Sequence, residues 1–150
     1  MPPSTASAAE HIRALIDRRV EAVRAGDVRA AISGVAPDVV SFDVVSPLQR
    51  IGAEHNIERA QEWFASFESP IGFEIRDLNV AASDDVGFSH ALHHYSGTKS
   101  DGTKIGMWVR ATACYRKIDG TRALVHEHQS VPFNAQTGTA SLNLEPWRVV

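Results

Sequence analysis

Apolar residues recur at helical spacing from Ile12 through Leu15, Ile16 and Val20 to Val23, with arginines and acids between them, which predicts an amphipathic helix. Ser7 and Glu10 stand in front of it at capping-box spacing, and Ala25-Gly26-Asp27 supplies the left-handed stop that glycine readily adopts. Asp27 also caps a second, shorter helix whose apolar face is Val28, Ala31, Ile32 and Val35, with Pro37 ending it. The β-branched run from Val39 to Val45 reads as a first strand. After a loop containing Pro47 and Gly52, a third helix is expected over about residues 53–67. Its buried stripe is Ile57, Ala60, Phe64 and Phe67, with Trp63 at the margin.

From residue 71 the period shortens to two. Ile71, Phe73 and Ile75 alternate, and the apolar parity then moves to Leu78 and Val80. A slip of one residue predicts a β-bulge near Arg76 or Asp77. Three longer strands follow at about 85–98, 104–117 and 122–133, divided by Ser100-Asp101-Gly102 and Ile118-Asp119-Gly120. Helices followed mainly by an antiparallel meander predict an α+β architecture, with helices covering one face of the sheet. No repeat or internal linker interrupts the chain: residues 1–8 read as a disordered lead and 9–150 as a single domain.

Composition narrows the partners. The 150 residues are 43% hydrophobic and 22% charged, the balance of a folded chain and not of a disordered one. With a formal charge of −3 and no basic patch, nucleic acid is not expected as a partner. No apolar run approaches the roughly 20 residues that span a bilayer, so no membrane partner is expected either. The start, Met1-Pro-Pro-Ser-Thr-Ala-Ser, lacks the basic and apolar regions of a secretory leader, and a cytoplasmic location is the simplest expectation. Cys114 is the single cysteine, which excludes an intrachain disulfide and paired-cysteine metal chemistry. Neither a metal nor a cofactor is expected.

Which side chains meet depends on two hairpins that both end in Asp-Gly. Each fits a two-residue type I′ loop or a three-residue loop with glycine in a bulge. With the three-residue loop, the preferred reading, Thr112 lies opposite both His90 and His126, Arg110 opposite His128, and Trp108 opposite His94 and Ser130. One face then carries all of these polar and aromatic groups; the other carries Val109, Ala111, Ala113, Tyr115, Glu127 and Gln129. The two-residue loop slips the last pairing and moves Glu127 beside Arg110 and Thr112.

Within the preferred grouping, His126 and His128 point the same way, roughly 6–7 Å apart, as a proton shuttle or a metal-ligand pair would. Together with Asp43 they contain a two-histidine, one-carboxylate set, although no dedicated metal-ligand spacing accompanies them. Either could equally be a hydrogen-bonded structural histidine. His90 would stand about 10 Å from His126, with Thr112 between, the span of a small ring-containing ligand. Arg110 suits a carboxylate or enolate, or a structural pair with Glu127. Trp108 offers an aromatic wall or plain core packing, and Ser130 a single hydrogen bond. His93 and His94 fall near a strand end, where solvation is expected, and His11 and His55 fall on helix surfaces.

Three segments carry a resemblance: Val23-Arg-Ala-Gly-Asp27, Ala36-Pro-Asp-Val-Val-Ser-Phe-Asp43 and His126-Glu-His-Gln-Ser-Val-Pro132. Over about residues 9–133 the chain resembles the SnoaL-like and ketosteroid-isomerase-like branch of the nuclear transport factor 2-like superfamily. The resemblance implies a cone-shaped, cystatin-like fold: a strongly curved mixed or antiparallel sheet wrapped around three N-terminal helices. It also implies a pocket at the cone mouth and a homodimer formed by outer sheet faces. Counting from Ala25-Gly26-Asp27, Asp43 falls where the family's steroid isomerases place their general base. Their oxyanion tyrosine maps to Arg19, and their second acidic donor maps near Ala113 or Cys114, so both donors are missing. The resemblance therefore points to the dehydratase and cyclase members. Against it, Val40, Phe42 and Val44 form the more apolar parity of their strand, which would turn Asp43 to solvent.

Two functions fit these residues. One is a cofactor-independent isomerase, dehydratase or cyclase with Asp43 as base, His126 or His128 as acid and Arg110 as anion stabiliser. Its ligand would be a small molecule bearing a carbonyl, hydroxyl or carboxylate group. The other is a non-catalytic binding or dimerisation module that uses the same pocket.

Overall fold

A computed structural model describes residues 7–147, so most of the lead expected to be disordered lies outside the described residues. Helix α1 (Ala8–Ala25) starts where the capping box placed it: Ser7 Oγ accepts from Glu10 N at 3.1 Å, and the Glu10 carboxylate accepts from Ser7 N at 3.0 Å. Gly26, left-handed at φ 71°, ends it. The short α2 (Val28–Ala31) is capped by Asp27, whose carboxylate accepts from Ala30 N. It stops sooner than expected, because Val35 joins strand β1 (Val35–Phe42) by pairing with Leu124. Pro37, which has no N–H to give a ladder, falls where the register of β1 is irregular. β1 also ends before Asp43, which sits just past the strand.

The remaining elements are β2 (Arg50–Ile51), α3 (Ala53–Ala65), β3 (Gly72–Ala82), β4 (Val86–Thr98), β5 (Lys104–Ile118) and β6 (Thr121–Ser130). They form one curved, unclosed sheet in the order β2-β1-β6-β5-β4-β3, mixed because β1 runs parallel to β6. The helices cover one face. Ile12 of α1, fully buried, meets Ala113, Tyr115 and Leu124, while Ala22 and Val23 pack with Phe73, Tyr95 and Val109. No residue of α3 is fully buried; Trp63 and Phe64 lean on the core from its edge.

The expected bulge in β3 is present: pairing with β4 shifts between Arg76 and Asn79, and Asp77 takes φ 55°. The β4–β5 hairpin has the three-residue loop, with Lys99 N bonded to Thr103 O at 2.7 Å and Gly102 at φ 88°. It sets Thr112 against His90 and Trp108 against His94. The β5–β6 hairpin corrects the preferred reading. Ile118 pairs with Thr121 across a two-residue loop, and Asp119 and Gly120 both have positive φ, the type I′ requirement. Tyr115 pairs with Leu124 but Cys114 with His126, so Val125 is the extra residue of a bulge. Beyond it Thr112 faces His128, and Arg110 faces Ser130. The bulge restores the expected sorting of faces with every partner displaced.

Candidate functional site

His90, Trp108, Arg110, Thr112, His126, His128 and Ser130 do share a face, but it is the one turned away from the helices, and none of them lines the cavity inside. The reason is the choice open to α1. Ile12 buries against Ala113 and Val23 against Val109, whereas covering the guanidinium of Arg110 and the imidazoles would desolvate them. Some of the outer groups find partners on their own side of the sheet. His126 Nδ1 lies 2.7 Å from Val40 O, and the Phe42 ring meets the rings of His126 and His128 edge-on, with centroids 4.7 and 5.4 Å apart. Arg110 Nε donates to Ser130 Oγ at 3.1 Å, not to Glu127. His90 stacks on Phe88, and His94 leans on Trp108. Asp43 departs the other way: parity turned it to solvent, yet it stands in the cavity wall. The suspected trio of Asp43, His126 and His128 is therefore split across the sheet. Among the described residues, no three His, Cys, Asp or Glu side chains gather closely enough to hold a metal ion.

The cavity, about 230 Å³, lies between the helices and the inner sheet face, with Val23, Trp63, Phe64, Phe73 and Val109 among its apolar walls. Cavities of roughly 150 Å³ accept a benzene-sized molecule, so the space suits one substituted ring. Two polar clusters interrupt the walls.

In the first, Arg19 makes a bidentate pair with Glu127, its Nη2 donating to Oε1 at 3.0 Å and its Nη1 to Oε2. Gln129 Nε2 donates to Glu127 Oε1 at 3.0 Å and to the Tyr95 hydroxyl at 3.1 Å. That hydroxyl lies 3.2 Å from His93 Nδ1. Arg19 reaches the cavity because it falls four residues after Leu15 and four before Val23, on the buried stripe of α1. Glu127 and Gln129 face inward because the bulge at Val125 moves the inward parity of β6 from Leu124 to the odd positions. His93 and Tyr95 belong to the inward row of β4 with Ser89 and Ala91.

The second cluster is built around Asp43. Its Oδ2 accepts from Arg59 Nε at 3.0 Å and from Arg50 Nη1 at 3.1 Å, and its Oδ1 accepts from Val44 N at 2.6 Å. Ser41 Oγ donates nearby to Asn56 Oδ1, tying β1 to α3.

The electrostatics of the first cluster follow from burial and one ion pair. Burial pushes the Glu127 carboxyl up, but the charge and hydrogen bonds of Arg19, with His93 and Gln129, outweigh it and leave the group below its ordinary value. The same carboxylate raises Arg19 further. Burial lowers His93 to about 4; Glu127 opposes this and Arg19 adds to it. Burial also raises the Tyr95 and Tyr115 phenols. At neutral pH the cluster therefore holds one cation, one anion, a neutral imidazole and a neutral phenol, and the Tyr115 phenol on the same cavity is neutral too.

Arg19, His93, Tyr95, Glu127 and Gln129 were not among the site residues expected from sequence. From sequence Arg19 enters only as the replacement for a family tyrosine, although its helical spacing puts it on the buried stripe. The preferred pairing puts Glu127 and Gln129 on the face with the alanines, and the alanines mark the inside. His93, expected to be solvated near a strand end, is buried on the inward row of β4.

A family model described as the SnoaL-like domain matches residues 12–134. No curated protein matches the chain. Among solved structures, a nuclear transport factor 2-like protein of unknown function from Pseudomonas putida KT2440 is 32% identical. The alignment covers 93% of this chain and 96% of that one, at a TM-score of 0.85. A ketosteroid isomerase-like protein from Erwinia carotovora atroseptica SCRI1043 is similar in fold at 19% identity, with 84% and 97% coverage and a TM-score of 0.70. A proposed dehydratase of the nuclear transport factor 2-like family from Streptomyces avermitilis aligns at 19% identity, with 81% and 93% coverage and a TM-score of 0.69. Among the described residues no helix is long and apolar enough to cross a membrane.

Proposed function

The chain belongs to the SnoaL-like domain family of the nuclear transport factor 2-like superfamily, and from that membership and the cavity we propose a cofactor-independent acid/base enzyme of isomerase, dehydratase or cyclase type. Its substrate would be a ring-sized carbonyl or hydroxy compound. One observation carries the reading: a carboxylate, Asp43, and an imidazole, His93, border the same largely apolar cavity. In such a space a proton-transfer group faces the ligand with little competition from water. Asp43 is the base. Arg50 and Arg59 fix its Oδ2, while Oδ1, with one backbone bond, retains acceptor capacity for a proton. The sequence reading sets the acid on His126 or His128; the histidine on the cavity side is His93, which, neutral near pH 7, serves as a hydrogen-bond donor to the ligand while Asp43 both takes and returns the proton. The dehydratase and isomerase-like names of the structural relatives agree with this class of chemistry and add no residue to it.

A second reading, a binding module, rests on one feature: both cavity carboxylates are already engaged by arginines, so a ligand could lodge without any proton moving. Deuterium exchange separates the two. A panel of cyclic ketones and hydroxyketones is incubated in D2O with the protein and followed by proton NMR. The enzyme reading expects exchange or turnover of at least one compound, reduced at least a hundredfold by Asp43→Asn. An unchanged rate in that variant removes Asp43 as base; ligands that bind and never exchange favour the module. A homodimer through the outer sheet face belongs to the same proposal, and a monomer in sedimentation at tens of micromolar would exclude it.

A further inference from the structure

We propose that His93 is a fixed hydrogen-bond donor with its proton on Nε2, and that the cavity takes a neutral molecule whose carbonyl or similar oxygen accepts that proton's hydrogen bond. The ligand half rests on the cavity being the functional site, as proposed above; the proton's position does not.

A chain of donors begins at the ion pair. Glu127, ionised beside Arg19, can only accept hydrogen bonds. Gln129 must therefore turn its amide nitrogen toward Glu127, and the same nitrogen's second hydrogen points to the Tyr95 oxygen. With its oxygen accepting from Gln129, the Tyr95 hydroxyl has its own proton to give. The acceptor within reach is His93 Nδ1, at 3.2 Å. A neutral imidazole that accepts at Nδ1 carries its proton on Nε2. In the opposite arrangement, His93 Nδ1–H and Gln129 would both donate to Tyr95, and the phenol's proton would have no acceptor among the described residues. A buried hydroxyl left in that state is disfavoured. Burial, which brings the His93 pKa down to about 4, keeps the ring neutral near pH 7.

Nε2 is free for a ligand. Among the described residues it has no hydrogen-bond partner, it is not a sealed, unsatisfied atom, and its ring lines the cavity against Phe73, with centroids 5.1 Å apart. The charges lining the cavity, Arg19 and Arg59 against Asp43 and Glu127, cancel. Arg50, the additional cation on Asp43, faces the outer groove, which Glu58 and Glu62 also line. No guanidinium in the cavity is therefore left for an anionic ligand, while one N–H is left for a neutral acceptor oxygen. For enolate chemistry, this N–H would replace the oxyanion tyrosine whose position Arg19 occupies.

Long-range proton–nitrogen correlation on the histidine-labelled protein, with His93 assigned by triple resonance, reads the tautomer directly. At pH 7 Nε2 should show a protonated and Nδ1 an unprotonated nitrogen shift, and Tyr95→Phe should collapse the pair toward a tautomer mixture. An Nδ1–H in the wild-type protein overturns the relay without any variant being needed. Cyclohexanone and cyclohexanecarboxylate then probe the ligand class. The ketone should move the Nε2 resonance, and the carboxylate should bind at least tenfold more weakly. The reverse order, or a ketone that leaves the His93 ring unmoved, overturns the ligand half. A protein that keeps Nε2–H and binds the ketone, yet exchanges no proton through Asp43, would fail as an enzyme and leave this assignment standing.

Discussion

Replacing Glu127 with Gln tests the ion pair from which the polar network of the cavity is built. The substitution keeps size and shape, and the Gln129 amide keeps an oxygen to bond, so the change is close to a pure loss of charge opposite Arg19. Breaking a fully buried pair by removing one partner costs roughly 3–5 kcal/mol, most of it the isolated charge left behind. Here the Glu127 side chain is 13% exposed and that of Arg19 is 35%, its open part turned toward the cavity, where water can reach it. That hydration discounts the penalty to about 2–3 kcal/mol. For a domain of this size it would lower Tm by roughly 5–10 °C. Urea denaturation of the wild type, Glu127→Gln, Arg19→Met and the double variant measures it as a cycle. The double variant should recover most of the loss, because no charge is then stranded. Acid weakens the pair. The folded Glu127 lies below its unfolded value, so its contribution is complete above about pH 4.3 and is lost as pH falls through the folded value. The gap between wild type and Glu127→Gln should accordingly close in acid. A single variant within about 0.5 kcal/mol of wild type at pH 7, or a gap that widens in acid, would refute the claim that this pair organises the cavity.

Two further substitutions test other parts of the structure. His93 is depressed to about 4 in the fold, so the unfolded chain binds the extra proton between that value and about 6.5. Stability should therefore fall by up to about 3 kcal/mol as pH drops through this window, and His93→Gln should flatten that slope in urea titrations; an unaltered slope would show that the ring is not held neutral. Asp77 sits at φ 55° in an exposed bulge of β3, a conformation that β-branched residues resist. Asp77→Val should cost about 1–2 kcal/mol in urea denaturation while Asp77→Gly is tolerated, and equal stability of the two would remove the strain argument.

Most elements were legible because each rests on a local signal. The capping box at Ser7, the stop at Gly26, the parity slip near Asp77 and the three-residue turn at Gly102 all appear where the sequence placed them. The errors share a cause, which is long-range pairing. β1 starts at Val35 and not Val39 because Leu124, almost ninety residues away, supplies a partner. The β5–β6 turn takes the shorter loop, and the bulge that corrects its parity falls at Val125, within a run with no glycine, proline or asparagine to announce it. Such a bulge depends on the fit of two strands, and one strand read alone does not contain it.

Most of the residues expected in the cavity lie outside it for a different reason, and here the sequence holds the answer. The alternation sorts two faces, one with His126, His128, Arg110 and Thr112, the other with Val109, Ala111, Ala113 and Tyr115. The polar face attracts a chemical reading, but helices that must bury Ile12 and Val23 can only settle on the apolar one. Polar residues together on one side of a sheet describe a surface that water or another chain can satisfy. Polar residues that interrupt an apolar side have no such outlet and must be satisfied inside. By that criterion Glu127 and Gln129 beside the alanines of β5, and Arg19 between Leu15 and Val23, stand out before any coordinate is known. Their pairing with one another, and through Tyr95 with His93, is what an isolated polar group in that position requires.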